Sequence, residues 1–353
     1  MKALILAGGK GTRLRPITFS MAKQLVPVAN KPVLFYGLEA IADAGIREVG
    51  MIVGDTAAEI ERAVGDGSRW GVQVTYIPQP EPLGLAHAVL TADPYLRDEP
   101  FLMYLGDNLV TSSLQPLAQA FQQRQPNALI LLAEVPNPQE FGVAELDGER
   151  VVRLIEKPQQ PPSNLALVGV YLFDKHIFEA ARAIQPSWRG ELEITDAIQY
   201  LIDHGYTVES QQITGWWKDT GSLDALLEAN RLVLEDLQPL QGGTLEETTL
   251  YGRVAIGEGS LLRRCTVRGP AIIGANCHLE DCYIGAFTAI GDGVRLVPAK
   301  VVARADIDDA DGDVGLGQRE LRQRQRRRSG DSALQEMAAG QVNAGHGAKL
   351  PVG

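Results

Sequence analysis

Near the start of the chain, a strand-like apolar segment leads directly into a loop rich in glycine and cationic residues. The loop lies within LILAGGKGTRLRP, residues 4–16, and contains Gly8, Gly9, Gly11, Thr12 and Arg13. Glycines let backbone N–H groups close around phosphate oxygens, and Arg13 together with the later Lys23 can add charge-assisted hydrogen bonds. The loop is therefore a candidate phosphate site. The alternative is a tight turn that carries solvated cations.

Two common phosphate-binding motifs do not match this loop. A P-loop requires G-x-x-x-x-G-K-[ST], and the order Gly8-Gly9-Lys10-Gly11-Thr12 does not provide it. A dinucleotide fingerprint requires a third glycine three residues after the second, where this chain has Leu14.

Two aspartates follow apolar segments that are far apart in the sequence. Asp107 follows FLMYLG (101–106), at the carboxyl end of a predicted strand, where open α/β sheets bind ligands. Asp219 follows GWWK (215–218). Two carboxylates from separate elements can hold one Mg²⁺ and leave positions for water and phosphate. Each aspartate alone would more simply be a cap or a turn residue.

Further motifs, taken in order, resemble those of the sugar-phosphate nucleotidylyltransferases. LAGGKGTRLRPIT and AKQLVPVANKPVL match the two elements of the family signature, and LGDN (105–108), FGV (141–143), EKP (156–158) and GWWKDTG (215–221) resemble later ones. The resemblance covers about residues 1–240. Because it also contains GELEITDAI (190–198) and the repeats that follow, the chain is similar to the long form of this family, which transfers a thymidylyl group from dTTP to glucose 1-phosphate.

The resemblance implies attack by the phosphate oxygen of the sugar 1-phosphate on the α-phosphorus of the triphosphate, with Mg²⁺ as cofactor and pyrophosphate as leaving group. The implied catalytic residues are Arg13, Lys23, Asp107, Lys157 and Asp219, of which Asp107 and Asp219 are the metal ligands. The implied nucleotide-binding residues are Gly8, Gly9, Gly11, Thr12, Arg13, Lys23, Gln79 and Gly84. The implied sugar-phosphate-binding residues are Asn108, Gly142, Glu156, Lys157 and Val168.

Several of these residues also have simpler explanations. Gln79 can pair with a pyrimidine edge through its amide, but in the proline-rich PQPEPLG it is also a plausible turn residue. Glu156 can accept hydrogen bonds from sugar hydroxyls, or form an exposed ion pair with Lys157. Trp216 and Trp217 are predicted to pack in the core rather than stack on a ligand.

The alternation of elements predicts an α/β fold for residues 1–240. Short apolar segments at 3–7, 48–53, 72–77, 101–106 and 128–135 are typical of strands buried on both faces of a parallel sheet. Helical patterns lie between them, so the expected architecture is a doubly wound, mostly parallel, Rossmann-like sheet. Asp147-Gly148 predicts a hairpin within the later part of this domain.

The sequence pattern changes near residue 240. Ile-Gly pairs recur at 256, 273, 284 and 290, and the last two are six residues apart. This hexapeptide habit predicts a left-handed parallel β-helix over residues 241–297, with a plain β-meander as the alternative. Residues 298–353 are predicted to be a disordered tail, although an arginine cluster leaves a nucleic-acid or membrane tail as the alternative.

Composition narrows the class of protein. The chain has 353 residues, 45% of them hydrophobic, and a formal net charge of −11, which makes its body a poor nucleic-acid binder. The sequence contains no apolar run of about 18 residues and therefore predicts no transmembrane helix. Cys265, Cys277 and Cys282 fit buried fillers in a reducing cytoplasm, not a metal site, and His278 is a weak candidate for a second catalytic site.

The expected protein is a cytoplasmic, homo-oligomeric enzyme whose substrates are dTTP and glucose 1-phosphate, with no nucleic-acid or membrane partner. Uridylyl transfer remains an alternative, because thymine and uracil differ by one methyl group, which a hydrophobic pocket distinguishes by only about 1–3 kcal/mol. A non-catalytic regulatory subunit that binds a nucleotide-sugar is the other alternative.

Overall fold

The computed structural model describes residues 1–148 and 150–301. Two compact units divide the chain: Met1–Val26 with Pro32–Ala225, and Pro27–Lys31 with the chain from Leu226 onward. The division after residue 225 differs from the predicted boundary at 240. Most of the predicted tail, residues 302–353, lies outside the described residues.

A mixed sheet forms the centre of the first unit and, within the described residues, has nine strands. Its strands are β1 (Lys2–Leu6), β4 (Glu48–Val53), β5 (Gln73–Pro78), β6 (Phe101–Leu105), β8 (Ala128–Glu134), β9 (Gly142–Asp147), β10 (Arg150–Glu156), β11 (Leu165–Phe173) and β12 (Val208–Gln212). Their spatial order is β5-β4-β1-β6-β11-β8-β12-β10-β9. Two small ribbons complete the strands before the second unit: β2 (Pro27–Val28) with β3 (Lys31–Pro32), and β7 (Asn108–Val110) with β13 (Trp217–Asp219).

The first half of the sheet is parallel, as predicted, and the second half is mixed. Strands β5, β4, β1 and β6 are parallel neighbours, whereas β11 runs antiparallel to both β6 and β8. The predicted hairpin is present, since β9 and β10 pair in antiparallel fashion around Asp147-Gly148. Chain reversals at this hairpin and at β11 explain why the parallel order is not continued.

Helices cover both faces of this sheet. They are α1 (Val33–Asp43), α2 (Ala57–Val64), α3 (Leu85–Thr91), α4 (Asp93–Leu96), α5 (Gln115–Arg124), α6 (His176–Ala183) and α7 (Ile194–Asp203). Strand β1 shows the consequence: Leu4 packs into the core on the side of α3, α6 and α7, while Ile5 packs on the side of α1, α2 and α5. The doubly wound α/β architecture is confirmed.

None of the helices in the described ranges combines the length and apolar character of a membrane span.

The second unit contains α8 (Leu223–Glu235) from Leu226 onward, followed by short strands that wind into a solenoid. The strands are β14 (Leu240–Gln241), β15 (Thr244–Glu246), β16 (Thr249–Tyr251), β17 (Val254–Ile256), β18 (Leu261–Arg263), β19 (Thr266–Arg268), β20 (Ala271–Ile273), β21 (His278–Glu280), β22 (Tyr283–Ile284), β23 (Thr288–Ile290), β24 (Arg295–Leu296) and β25 (Lys300–Val301). Among the described residues they form three four-stranded parallel sheets, as expected of the predicted left-handed β-helix.

The hexapeptide spacing corresponds to one face of this β-helix, and each coil contributes a strand to three sheets. Ile256 pairs with Ile273, and Ile273 pairs with Ile290, so equivalent positions recur on successive coils. Ile284 belongs to β22 on a different sheet and pairs with Val301. The six-residue spacing from Ile284 to Ile290 therefore leads from one face to the next, whereas the full coil has 17 residues.

Small donor side chains line the corners of the coil. The Cys265 thiol donates to the carbonyl of Leu279 at 3.4 Å, and the Thr248 hydroxyl makes the equivalent bond to Leu262 one coil earlier at 3.0 Å. Cys265, Cys277 and Cys282 are all buried with free thiols. They are therefore small side chains that fill the core, as the sequence predicts.

Truncating the β-helix core provides a stability test. Ile284 is fully buried, so Ile284→Ala should lower the free energy of unfolding by about 2–5 kcal/mol through lost burial and a residual cavity. Ile272, which is partly exposed on β20, is a matched control whose Ala variant should lose clearly less. Urea unfolding of the full chain measures both, and equal losses would contradict the assigned core.

Candidate active site

The ribbon of β7 and β13 brings the two predicted metal ligands together. In this antiparallel pair Asp219 lies opposite Asn108, the residue that follows Asp107. The backbone N–H and the hydroxyl of Thr220 both donate to the Asp107 carbonyl, at 3.1 and 2.7 Å. Two carboxylates more than a hundred residues apart in sequence thereby become neighbours.

Two cations lie at these carboxylates. The Lys23 ammonium forms an ion pair with Asp107 Oδ2, with only 17% of the Lys23 side chain exposed. A Cβ added to Gly221 would lie 3.0 Å from both Arg13 Nη2 and Asp219 Oδ1, so guanidinium and carboxylate face the same point. Arg13, Lys23, Asp107 and Asp219 thus form one cluster, which we term the charge cluster.

Burial and mutual charge set the protonation of the charge cluster. Burial and the Asp107 carboxylate raise the pKa of Asp219 above its usual range, against the opposing effects of Lys23, Arg13 and the Gly221 backbone N–H. Burial alone would lower the pKa of Lys23, but Asp107 and Asp219 outweigh it, so this pKa is raised. The lysine therefore stays cationic while the carboxylates need further positive charge.

The donor set fits a magnesium ion. No group of three or more His, Cys, Asp or Glu side chains within the described ranges could hold a metal by itself. Mg²⁺ commonly takes one or two carboxylates and completes its shell with waters and substrate phosphates. A mutually repelling pair of oxygen ligands is suited to such a shared site.

Glycines in the loop make room for Lys23. A Cβ on Gly9 would lie 2.8 Å from Lys23 Cε, and one on Gly11 would lie 2.7 Å from Lys23 Cβ. Gly11 also has a φ of +63°, a conformation that L side chains rarely adopt. Thr12 and Arg13 follow in an exposed 3₁₀ turn, so the loop presents its cation outward while Lys23 crosses behind it.

The predicted base-reading residue Gln79 lies beside the same loop. A Cβ on Gly8 would lie 3.7 Å from Gln79 Oε1. The Gln79 amide nitrogen donates to His87 Nδ1 at 2.8 Å, which fixes the orientation of the amide. His87 therefore positions Gln79.

Gly84 has a structural explanation in the fold. Its φ is +107°, and a Cβ there would overlap the backbone of Leu192. The Leu192 N–H donates to the Leu83 carbonyl at 2.7 Å, and the Ala86 N–H donates to the Leu192 carbonyl at 3.0 Å. Close packing of two loops therefore requires glycine at this position.

Asn108 and Val168, both predicted sugar contacts, are bonded to each other. The buried Asn108 side chain donates to the Val168 carbonyl at 2.5 Å. Gly169, with a φ of +83°, follows at a register irregularity in β11, and a Cβ there would overlap the Asn108 amide. The Asn108 amide nitrogen is therefore already hydrogen-bonded within the protein.

Glu156 lies in a second cluster of polar side chains. A Cβ on Gly142 would lie 3.2 Å from Glu156 Oε2, and the Thr195 hydroxyl donates to the same oxygen at 3.2 Å. Lys157 Nζ and Arg189 Nη2 each lie 3.7 Å from Glu156 Oε1. Burial and the nearby Glu193 raise the pKa of Glu156, against the opposing effects of Lys157, Arg189 and Thr195.

Arg189 is a residue that sequence reasoning missed, although GELEITDAI follows directly after it. It donates to Glu193 at 3.0 and 2.8 Å while Glu193 is 3% exposed, so the guanidinium is held rigidly beside Glu156. A cation at this place adds to Lys157. The sequence feature that could have identified Arg189 is its position next to a family motif. Its contact with Glu156 is visible only in the structure.

Gln24 is the second missed residue. Its side chain is 1% exposed, and Oε1 accepts no hydrogen bond within the described part of the chain. Its amide nitrogen would lie 3.7 Å from a Cβ on Gly9. An unpaired buried acceptor costs about 1–3 kcal/mol, which makes Gln24 a candidate contact for a ligand in the glycine loop.

Trp217 packs as predicted. It packs against the first unit's core and makes an edge contact with Phe141, with ring centroids 5.2 Å apart.

His278 lies 3.7 Å from Glu280 on β21 of the second unit.

Comparisons with known proteins agree with the motif resemblance. The profile of the Nucleotidyl transferase family matches residues 2–236. Glucose-1-phosphate thymidylyltransferase of Streptomyces antibioticus is 59% identical over 304 residues, which are 85% of each chain, and that of Streptomyces griseus is 57% identical over 83% of each.

A solved structure agrees as well. A Bacillus anthracis protein, assigned as a glucose-1-phosphate thymidylyltransferase and crystallised with sucrose, superposes with a TM-score of 0.64 at 32% identity. It covers 68% of this chain and 98% of its own. From the order of its motifs, its fold and these relatives, the chain belongs to the nucleotidyl transferase family and is a nucleotidyltransferase.

Proposed function

We propose that this protein transfers a thymidylyl group from dTTP to glucose 1-phosphate and releases dTDP-glucose and pyrophosphate. The observation that carries the proposal is the charge cluster of Arg13, Lys23, Asp107 and Asp219 at the glycine loop. Joining two polyanions requires neutralisation and alignment more than it requires a proton-transfer base. The two Streptomyces relatives support the choice of thymidylyl group and sugar phosphate.

Each part of the site has a distinct task in this proposal. Arg13 neutralises the departing pyrophosphate, and Lys23 lies where charge develops at the α-phosphate. Gln79 pairs with the pyrimidine edge, in the orientation that His87 fixes. Gln24 donates to or accepts from the nucleotide inside the glycine loop.

The sugar phosphate is assigned to the cluster around Glu156. Glu156 accepts hydrogen bonds from sugar hydroxyls, while Lys157 and Arg189 supply the cations that the phosphate needs. Gly142 lets the sugar approach the backbone, because its Cα faces Glu156 and Thr195. In-line attack then depends on how these residues hold the sugar phosphate against the nucleotide.

Asp107 and Asp219 would hold the Mg²⁺ ion. When bound, the ion neutralises phosphate charge and helps to orient the triphosphate.

The direct test is pyrophosphate release from the full chain with Mg²⁺ and glucose 1-phosphate, comparing dTTP, UTP, CTP, ATP and GTP. We expect dTTP to be preferred over UTP by about 10- to 200-fold, the range that one methyl group allows. A preference for UTP would keep the mechanism and replace the thymidylyl group with uridylyl. Absence of turnover with every triphosphate would favour the regulatory subunit instead.

Removing one charge at the metal site should abolish most activity. Asp107→Asn and Asp219→Asn are each expected to lower kcat by about 10²–10³-fold, the loss typical of removing one charged stabilising group. The exposed Asp98→Asn is the matched control and should keep wild-type kcat. If both site variants retain activity at saturating Mg²⁺, the assignment of the metal ligands is wrong.

Glu156 allows a prediction about pH. Its pKa is raised in the folded protein, so the native state holds more protons than the unfolded state above the usual carboxylate pKa. Ionisation of Glu156 therefore opposes folding as the pH rises through that range. Glu156→Gln should remove this loss of stability, so at pH 7 the variant should have a urea midpoint no lower than that of wild type. Its kcat/KM for glucose 1-phosphate should fall about 10- to 100-fold.

The exposed Glu134→Gln is the control for both measurements. A Glu156→Gln protein that is clearly less stable than wild type at pH 7, or that keeps its kcat/KM, would argue against this assignment.

A further inference from the structure

A threonine closes each end of the β7–β13 ribbon. Thr111 follows β7, and its N–H and hydroxyl both donate to the Trp216 carbonyl, at 3.2 and 3.1 Å. Thr220 follows β13, and its N–H and hydroxyl both donate to the Asp107 carbonyl, at 3.1 and 2.7 Å. Each accepting residue directly precedes the opposite strand. The two ends of the ribbon therefore share one bond pattern, and the Thr220 end includes a candidate metal ligand.

Burial distinguishes the two ends. Thr220 is 0% exposed, whereas Thr111 is exposed. Water can take the place of a lost hydroxyl at the exposed end, but a buried carbonyl that loses a donor finds no such replacement. The hydroxyl of Thr220 therefore contributes more to the position of its partner than the hydroxyl of Thr111 does.

The residue that Thr220 holds is not itself part of a strand. Asp107 lies in the turn between β6 and β7. On either side of it, the Gly106 N–H donates to the last carbonyl of β1 at 3.0 Å, and the Tyr104 hydroxyl donates to the Asn108 carbonyl at 3.0 Å. The bonds from Thr220 fix the Asp107 carbonyl between these two anchors, so they set the position from which its carboxylate extends.

The segment around Thr220 also holds the second carboxylate. Asp219 directly precedes Thr220, and its carboxylate accepts a hydrogen bond from the Gly221 N–H. Burial and then the Asp107 charge raise the pKa of Asp219, so the two carboxylates repel each other across the Thr220 bonds. Three consecutive residues thus hold one carboxylate directly and the other through its backbone.

We propose that Thr220 is a positioning residue for Asp107, which it holds beside Asp219 so that both carboxylates can bind the Mg²⁺ ion; this rests on the proposed function. Mg²⁺ requires near-octahedral geometry with oxygen ligands at about 2.0–2.1 Å, so a small displacement of one carboxylate weakens its binding. Without the ion, repulsion acts to separate the carboxylates, and the Thr220 bonds oppose it. All of these contacts lie within the first unit.

The test compares Thr220→Val with Thr220→Ser in the full chain. Valine keeps the branched shape and the backbone N–H bond but removes the hydroxyl, whereas serine keeps the hydroxyl. Pyrophosphate release at saturating substrates is measured against the concentration of free Mg²⁺. Thr220→Val should raise the Mg²⁺ concentration for half-maximal rate about five- to tenfold, the effect of one net hydrogen bond. Thr220→Ser should stay within about twofold of wild type, because the bond is retained.

Thr111→Val is the matched control at the other end of the ribbon. It removes the equivalent hydroxyl, including the bond that this oxygen accepts from the Trp216 N–H at 3.0 Å, and should keep the wild-type Mg²⁺ dependence. A purely structural role for Thr220 would lower the urea midpoint of Thr220→Val without changing the Mg²⁺ dependence, and that result overturns the proposal. An equal shift in Thr111→Val overturns it as well, because the ribbon as a whole would then be responsible.

Hydrogen exchange without metal or substrate separates this inference from the proposed function. Amides of residues 218–221 should exchange faster in Thr220→Val than in wild type, Thr220→Ser or Thr111→Val. Unchanged exchange there overturns the positioning role even if dTTP is the substrate. If wild type shows no turnover with any triphosphate but this exchange rises in Thr220→Val, the proposed function fails and the hold of Thr220 on Asp107 stands.

Discussion

Repulsion between Asp107 and Asp219 is the constraint on which the candidate site depends. Burial first and the neighbouring Asp107 carboxylate second raise the pKa of Asp219, so the two carboxylates cannot both stay ionised without compensation. The backbone supplies the proximity through the β7–β13 ribbon and the bonds from Thr220, so repulsion cannot separate them. Lys23 compensates part of the charge, and a cation arriving with the nucleotide would compensate the rest.

The same constraint explains the glycines better than flexibility does. Lys23 reaches Asp107 only by passing behind the loop, and Cβ atoms at Gly9 and Gly11 would occupy the path of its methylenes. Glycine at these positions therefore admits the lysine side chain. A substitution there would disturb the charge cluster before it disturbed a phosphate.

The sequence predicted residue types well and long-range contacts poorly. Strands, the Asp147-Gly148 hairpin and both aspartates follow local patterns that one stretch of chain contains by itself. The contact of Arg189 with Glu156, the unpaired oxygen of Gln24 and the bonds that hold Asp107 each join residues that no local pattern connects. The hexapeptide spacing did predict the solenoid, because Ile284 on one sheet and Ile290 on the next carry the same local Ile-Gly pattern.

The loop of residues 187–193 links the two proposed substrate regions. Leu192 exchanges backbone hydrogen bonds with Leu83 and Ala86 on either side of Gly84, next to the Gln79 region. Three residues earlier, Arg189 is held by Glu193 beside Glu156. In-line attack tolerates little error in the separation of nucleotide and sugar phosphate, because misplacement by about 1 Å can cost about 10²-fold in rate. Within the first unit, one short loop is therefore bonded to the backbone on either side of Gly84 and also lies against Glu156, which restricts how far these two parts of the chain can separate.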